Sequence, residues 1–279
     1  MQTTENGPRM TFLVAASWTI GAVFLLQVLI GVLVGLRQGE VDLASLVQCQ
    51  VVAFLGMLFF LLLVHEREGR LSDMLALRKT SVWLCLAAAL LGLALQGPVS
   101  LVEDVIYAKF PLSEANLAEL RELLTAQTTP QRIVLLVAAG LVGPVVEEMF
   151  FRGALFKGLR REHTDALTVV GVSLLFAAAH RDLRSFVPDM MGALVMGYLR
   201  LVSGSLWPSI LLHVAFNAVA VVTALASGPE ADIFTRSQSF AATLACVGLL
   251  AACRALAAKS DVLAIARDRD RPRDMDLFE

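Results

Sequence analysis

Residues 132–157 read RIVLLVAAGLVGPVVEEMFFRGALFK. The run is long and apolar enough to cross a bilayer, which takes ~20 residues. Yet Glu147, Glu148 and Arg152 sit inside it. On insertion scales one charged side chain at the bilayer centre costs at least ~2.5–3.5 kcal/mol. Two carboxylates and an arginine in one span need a partner or a task, and the default reading is a functional site. Glu148 and Arg152 are spaced i, i+4 with the acid first, the favourable order for an ion pair on one helical face. Glu147 points ~100° away from Glu148. The spacing therefore assigns Glu148 and Arg152 to a supporting ion pair, which limits the cost of burying either, and leaves Glu147 for chemistry. Gly140, Gly143 and Pro144 lie just upstream, where a kink and the close approach of another helix are expected.

The rest of the chain has the same character. It is 279 residues long, 57% hydrophobic and 17% charged, with a mean hydropathy of +0.71, well away from an ordinary soluble domain. Its charges fall between apolar blocks. This predicts an all-α, polytopic transmembrane bundle of about eight helices, over 11–36, 44–64, 81–101, 132–157, 166–181, 186–203, 207–226 and 238–256. The first run is too long for the apolar core of a cleavable signal peptide and reads as a retained helix. Residues 110–127 form an amphipathic stretch with Leu117, Leu120, Leu123 and Leu124 opposite Glu119 and Glu122, capped by Ser113. The domain reading is one membrane domain over 1–258, with 132–225 its catalytic core, and a charged, disordered cytoplasmic tail over 259–279. Lys/Arg bias puts both termini in the cytoplasm. The net charge of −2 says nothing about partners, and the lack of a basic patch with interleaved aromatics argues against nucleic acid as one. Cys49, Cys85, Cys246 and Cys253 show no metal-like spacing and read as small apolar residues.

Two further spans carry polar residues. The fifth ends in Phe176-Ala177-Ala178-Ala179-His180, and the seventh holds His213-Val214-Ala215-Phe216-Asn217. Phe176 and His180 share a face, as do His213 and Asn217. Counted at 1.5 Å per residue from the basic ends of the spans, Glu147 lies roughly 15 Å deep, His180 roughly 21 Å, His213 roughly 9 Å and Asn217 roughly 15 Å. These depths are compatible with one cavity. A glutamate beside a histidine can position and deprotonate a water. His213 and Asn217 carry donors that suit an oxyanion. Together they suggest water attack on an amide carbonyl. Ser203 and Ser205 lie in a Gly-containing turn and read as helix breakers rather than nucleophiles. A metal site built from Glu, His and His competes. The HExxH arrangement is absent and Asn is a poor zinc ligand, so metal-free catalysis with no cofactor is preferred.

The order Glu147-Glu148-x-x-x-Arg152, Phe176-x-x-x-His180, His213-x-x-x-Asn217, with FFRGALF and GSLWPSILLH around it, resembles the CPBP intramembrane proteases. These are the CAAX prenyl endopeptidase and bacteriocin-processing (Abi) proteins, and include myxosortase-like members. The resemblance covers about residues 132–225 and implies a glutamic-type endopeptidase on an eight-helix bundle. It assigns water activation to Glu147 and His180, the oxyanion site to His213 and Asn217, and support to Glu148 and Arg152. It implies a multi-pass protein of a bacterial inner membrane whose partners are the lipid bilayer and a membrane-anchored protein or peptide substrate, prenylated or not. A non-catalytic immunity or scaffold protein of the same fold is the alternative. A transporter would show repeats with broken helices in both halves, and none is seen.

Overall fold

The computed structural model describes residues 8–39, 41–65, 70–123, 128–228 and 231–259. Its elements are helices: α1 Phe12–Leu36, α2 Leu43–His65, the short α3 Leu71–Met74, α4 Val82–Lys109, α5 Glu114–Leu123, α6 Thr129–Arg160, α7 Asp165–Ala179, α8 Phe186–Ser203, α9 Trp207–Ser227 and α10 Arg236–Ala258. Among the described residues there is no strand. Seven of these helices are long and apolar enough to cross a membrane. The expected fifth span, over 166–181, is α7, which has 15 residues, about 22 Å at the α-helical rise. It stops at Ala179, short of a full crossing.

Start signals follow the sequence. Thr11, Thr128, Thr164 and Thr235 each cap a helix by accepting from a backbone N–H of its first turn. Ser113 does the same for α5, accepting from Asn116 N–H at 3.2 Å. The side chains of Glu119, Leu120, Leu123 and Leu124, on which the amphipathic reading partly rests, lie outside the described residues, as does the tail beyond Lys259. The expected end of α4 at residue 101 is corrected: the helix runs on to Lys109. Charge at Glu103 and Asp104 ends an apolar run, but a helix can continue into the headgroup region where its charges are solvated. α8 stops where expected, in the Ser203-Gly204-Ser205 turn. Gly204 takes the left-handed conformation (φ +62°), which costs little without a Cβ. Ser203 Oγ donates to Leu199 O, and Ser205 Oγ donates to Arg78 O.

α4 runs through the centre and packs along α9 and α10. Small residues permit it: a Cβ on Gly92 would collide with the Leu212 carbonyl, and one on Gly97 would come to 2.6 Å from Ala242 Cβ and the Ser239 carbonyl. α2 leans on α6 through Phe54, whose ring centroid is 5.3 Å from Phe150 and 5.8 Å from Phe151. α1 turns Leu13, Ile20 and Phe24 outward, each more than two-thirds exposed, as a helix facing lipid tails would. The helix α6 is not uniformly α. Residues Ala138–Val142 and Met149–Leu155 are π-helical and flank the two glutamates. Pro144 has no N–H to give to the preceding turn, and insertions of this kind recur at functional sites.

Gly92→Ala and Gly97→Ala are each expected to cost about 1–3 kcal/mol through overpacking, read as a lower thermal unfolding midpoint of the purified protein in detergent. Gly31→Ala, whose Cβ would meet open space, should leave the midpoint in place.

Candidate active site

Glu148 and Arg152 are both wholly buried, and Arg152 Nη1 donates to Glu148 Oε1 at 2.7 Å. Burying such ions is tolerable only when their remaining hydrogen-bonding capacity is used. Ser209 Oγ donates to Glu148 Oε2. Arg152 Nη2 donates to the Ala193 carbonyl at 3.1 Å, and the guanidinium lies 4.4 Å over the Phe176 ring. One pair on α6 thus reaches α7, α8 and α9.

His213 is the link to Glu147. Its Nδ1 is 3.1 Å from Glu148 Oε1 and its Nε2 is 3.7 Å from Glu147 Oε2. An ionised carboxylate only accepts, so Nδ1 carries a proton and Nε2 is the nitrogen that faces Glu147. The other oxygen of Glu147, Oε1, accepts from Gln50 Nε2 on α2. Glu147 is therefore 7% exposed, with a donor on one side and an imidazole on the other.

His180 stands at the rim. It follows the last residue of α7, and its side chain is 35% exposed. Its Nδ1 donates to the Phe176 carbonyl at 2.9 Å, which leaves Nε2 as the acceptor of the neutral ring. Asp189 Oδ2 is 3.8 Å from Nδ1. His180 lies within electrostatic reach of Glu147, but the histidine nearest Glu147 is His213. Arg181 turns the chain sharply at φ +62°. Beyond it Arg184 grips Asp182 at 2.9 Å and holds that carboxyl below the usual range. Phe176 separates the two histidines: its centroid is 4.7 Å from that of His180 and 5.7 Å from that of His213. Asn217, one turn past His213, donates from Nδ2 to the Ala139 carbonyl at 3.5 Å, a long bond that leaves the amide able to turn.

So Glu147, Glu148, Arg152 and His213 form one network, with His180 and Asn217 at its edges. Two contributors are additional to the sequence reading. Gln50 is a polar residue in the second apolar span, a signal of the same kind as the glutamates but weaker. Ser209 precedes His213 by four residues, so the i, i+4 rule that paired His213 with Asn217 also pairs it with Ser209. Among the described residues no group of three His, Cys, Asp or Glu is arranged to hold a metal ion. The four cysteines are free, two buried and two half-buried.

Residues 129–219 match the family described as Type II CAAX prenyl endopeptidase Rce1-like. No curated protein and no solved structure matches the chain. The matched segment, about a third of the chain, spans α6 to α9 and contains all seven residues of the three motifs, and over it the chain is similar to the CAAX-type intramembrane proteases.

Proposed function

We propose that this protein is an intramembrane glutamic endopeptidase that cleaves a peptide bond near the membrane-associated C-terminus of a protein or peptide. The observation that carries this reading is the approach of His213 Nε2 to 3.7 Å of Glu147 Oε2 with Glu148 fully committed behind it. Two carboxylates against one guanidinium leave one uncompensated negative charge in a buried cluster. A single proton, on His213 or on Glu147, neutralises it. With His213 doubly protonated, Glu147 is the base. Water, oriented by Glu147 and by Nε2 of His180, attacks the carbonyl carbon and passes one proton to Glu147. The developing oxyanion accepts from His213 Nε2–H and from the amide of Asn217. Collapse breaks the C–N bond, and Glu147 returns its proton to the leaving amine. Gln50 acts as a positioning residue that fixes the rotation of the Glu147 carboxylate. No step in this scheme requires a metal.

The test starts with membrane-protein termini, compared by mass spectrometry between cells carrying the wild-type chain and cells carrying Glu147→Gln. A terminus shortened only with the wild type identifies the substrate. Identical termini in both would favour the immunity or scaffold alternative. On that substrate in proteoliposomes, Glu147→Gln and His180→Ala are each expected to lose about 10²–10⁴-fold in rate, and activity should withstand EDTA. Full activity in either variant would sink the mechanism. Gln50→Leu should lower kcat about tenfold or more, the scale of a hydrogen bond to a charged group, with KM little changed. An equal rise in KM would point to substrate binding instead. Arg152→Met strands a buried carboxylate and is expected to cost about 3–5 kcal/mol of stability, measured as thermal unfolding. Glu147→Gln should spare stability, which separates support from chemistry.

A further inference from the structure

In the proposed hydrolysis the His180 ring keeps its proton on Nδ1 and offers Nε2 to water. The Phe176 carbonyl favours that arrangement by accepting from Nδ1 at 2.9 Å. An acid faces the same nitrogen. Asp189 Oδ2 stands 3.8 Å from Nδ1, too far for a hydrogen bond and near enough for its charge to act on the ring. That oxygen is pinned, because Ser185 Oγ donates to it at 2.7 Å. Both residues open α8: Ser185 precedes Phe186, and Asp189 lies in the first turn, where the helix dipole favours a carboxylate. Arg184, the cation closest in sequence, gives Nε and Nη2 to Asp182.

The charges around the ring decide what Asp189 does there. From α6, Glu147 and Arg152 lie within electrostatic reach of His180. From α4, Glu103 and Tyr107 lie within reach of Asp189. Glu147 and Asp189 favour a positive ring, and Arg152 opposes it. During water attack Glu147 takes up a proton and loses its charge. Of these two acids, Asp189 is then the one that still acts on His180. The Ser185–Asp189 bond does more than start a helix, because the oxygen that accepts from Ser185 is the one that faces Nδ1. We infer that Asp189 is a positioning residue of the hydrolysis, acting through His180: its charge steadies the Nδ1–H tautomer and strengthens Nε2 as the acceptor for the attacking water. The catalytic consequence rests on the peptidase reading; the pairing of Asp189 with His180 does not.

Asp189→Asn isolates the charge, since its amide oxygen can still accept from Ser185. Two measurements on the full chain test it. In detergent, the His180 ring is titrated by NMR with isotope-labelled histidine, its signal assigned by its absence in His180→Gln. A nearby carboxylate favours the protonated ring, so losing it should lower the His180 midpoint by about one pH unit, the low end for a neighbouring charge, because both side chains are partly exposed. In proteoliposomes, the rate on the substrate identified by the terminus comparison is followed against pH. Activity needs a neutral His180 and fades as falling pH protonates it. In Asp189→Asn the acid limb should therefore move about one unit lower, with plateau kcat down about threefold, as Brønsted behaviour gives for a weaker acceptor, and KM little changed. Ser185→Ala, which frees the carboxylate but keeps its charge, should move both curves less. An unmoved His180 midpoint would overturn the pairing. A moved midpoint with an unmoved acid limb would overturn the catalytic role, and a merely structural Asp189 would lower the unfolding midpoint with both pH curves in place. A moved midpoint in a chain that shortens no membrane-protein terminus would uphold the pairing and count against the peptidase reading alone.

Discussion

Everything near the site depends on keeping Glu148 ionised and wholly buried. A carboxylate out of contact with water must have its oxygens occupied by donors, and here they come from three places: Arg152 on the same helix, Ser209 and His213 on α9. Arg152 in turn needs the Ala193 carbonyl on α8 and the face of Phe176 on α7. Four helices are therefore positioned by one charge, and none can slide without opening a buried polar group. In lipid this matters more than in water, because apolar packing alone does not fix how helices rotate against one another.

The same constraint explains what was legible in the chain. The Glu148–Arg152 pair was readable because both partners lie on one helix, where spacing implies geometry. Apolar runs likewise gave the spans, since composition and length alone define them. The contact between Gln50 and Glu147 joins residues on different helices, and no spacing rule reaches across that gap. The π turns beside the glutamates were legible only as a kink at Pro144; their wider turn is a response to packing. Depth arithmetic treated every span as a straight crossing. It made His180 the deepest of the polar residues, whereas α7 ends early and leaves His180 at a partly exposed helix end, with His213 beside Glu147.

Two polar side chains also change the standing of the helices outside the matched segment. The motifs lie within residues 129–219, and α1, α2 and α4 carry none of them. Yet Gln50 of α2 reaches Glu147, and Gln96 of α4 donates to the Phe216 carbonyl at 2.7 Å, next to Asn217. Each bond ties a helix outside the matched segment to a residue beside or within the cluster. A segment bearing the motifs alone would keep the Glu148–Arg152 pair, since its donors are all internal to it. It would lose the donor that orients Glu147 and a support behind Asn217. The division between the two glutamates thus extends to the whole fold: the donors to Glu148 all lie within α6 to α9, while the orientation of Glu147 depends on a helix that sequence motifs do not mark.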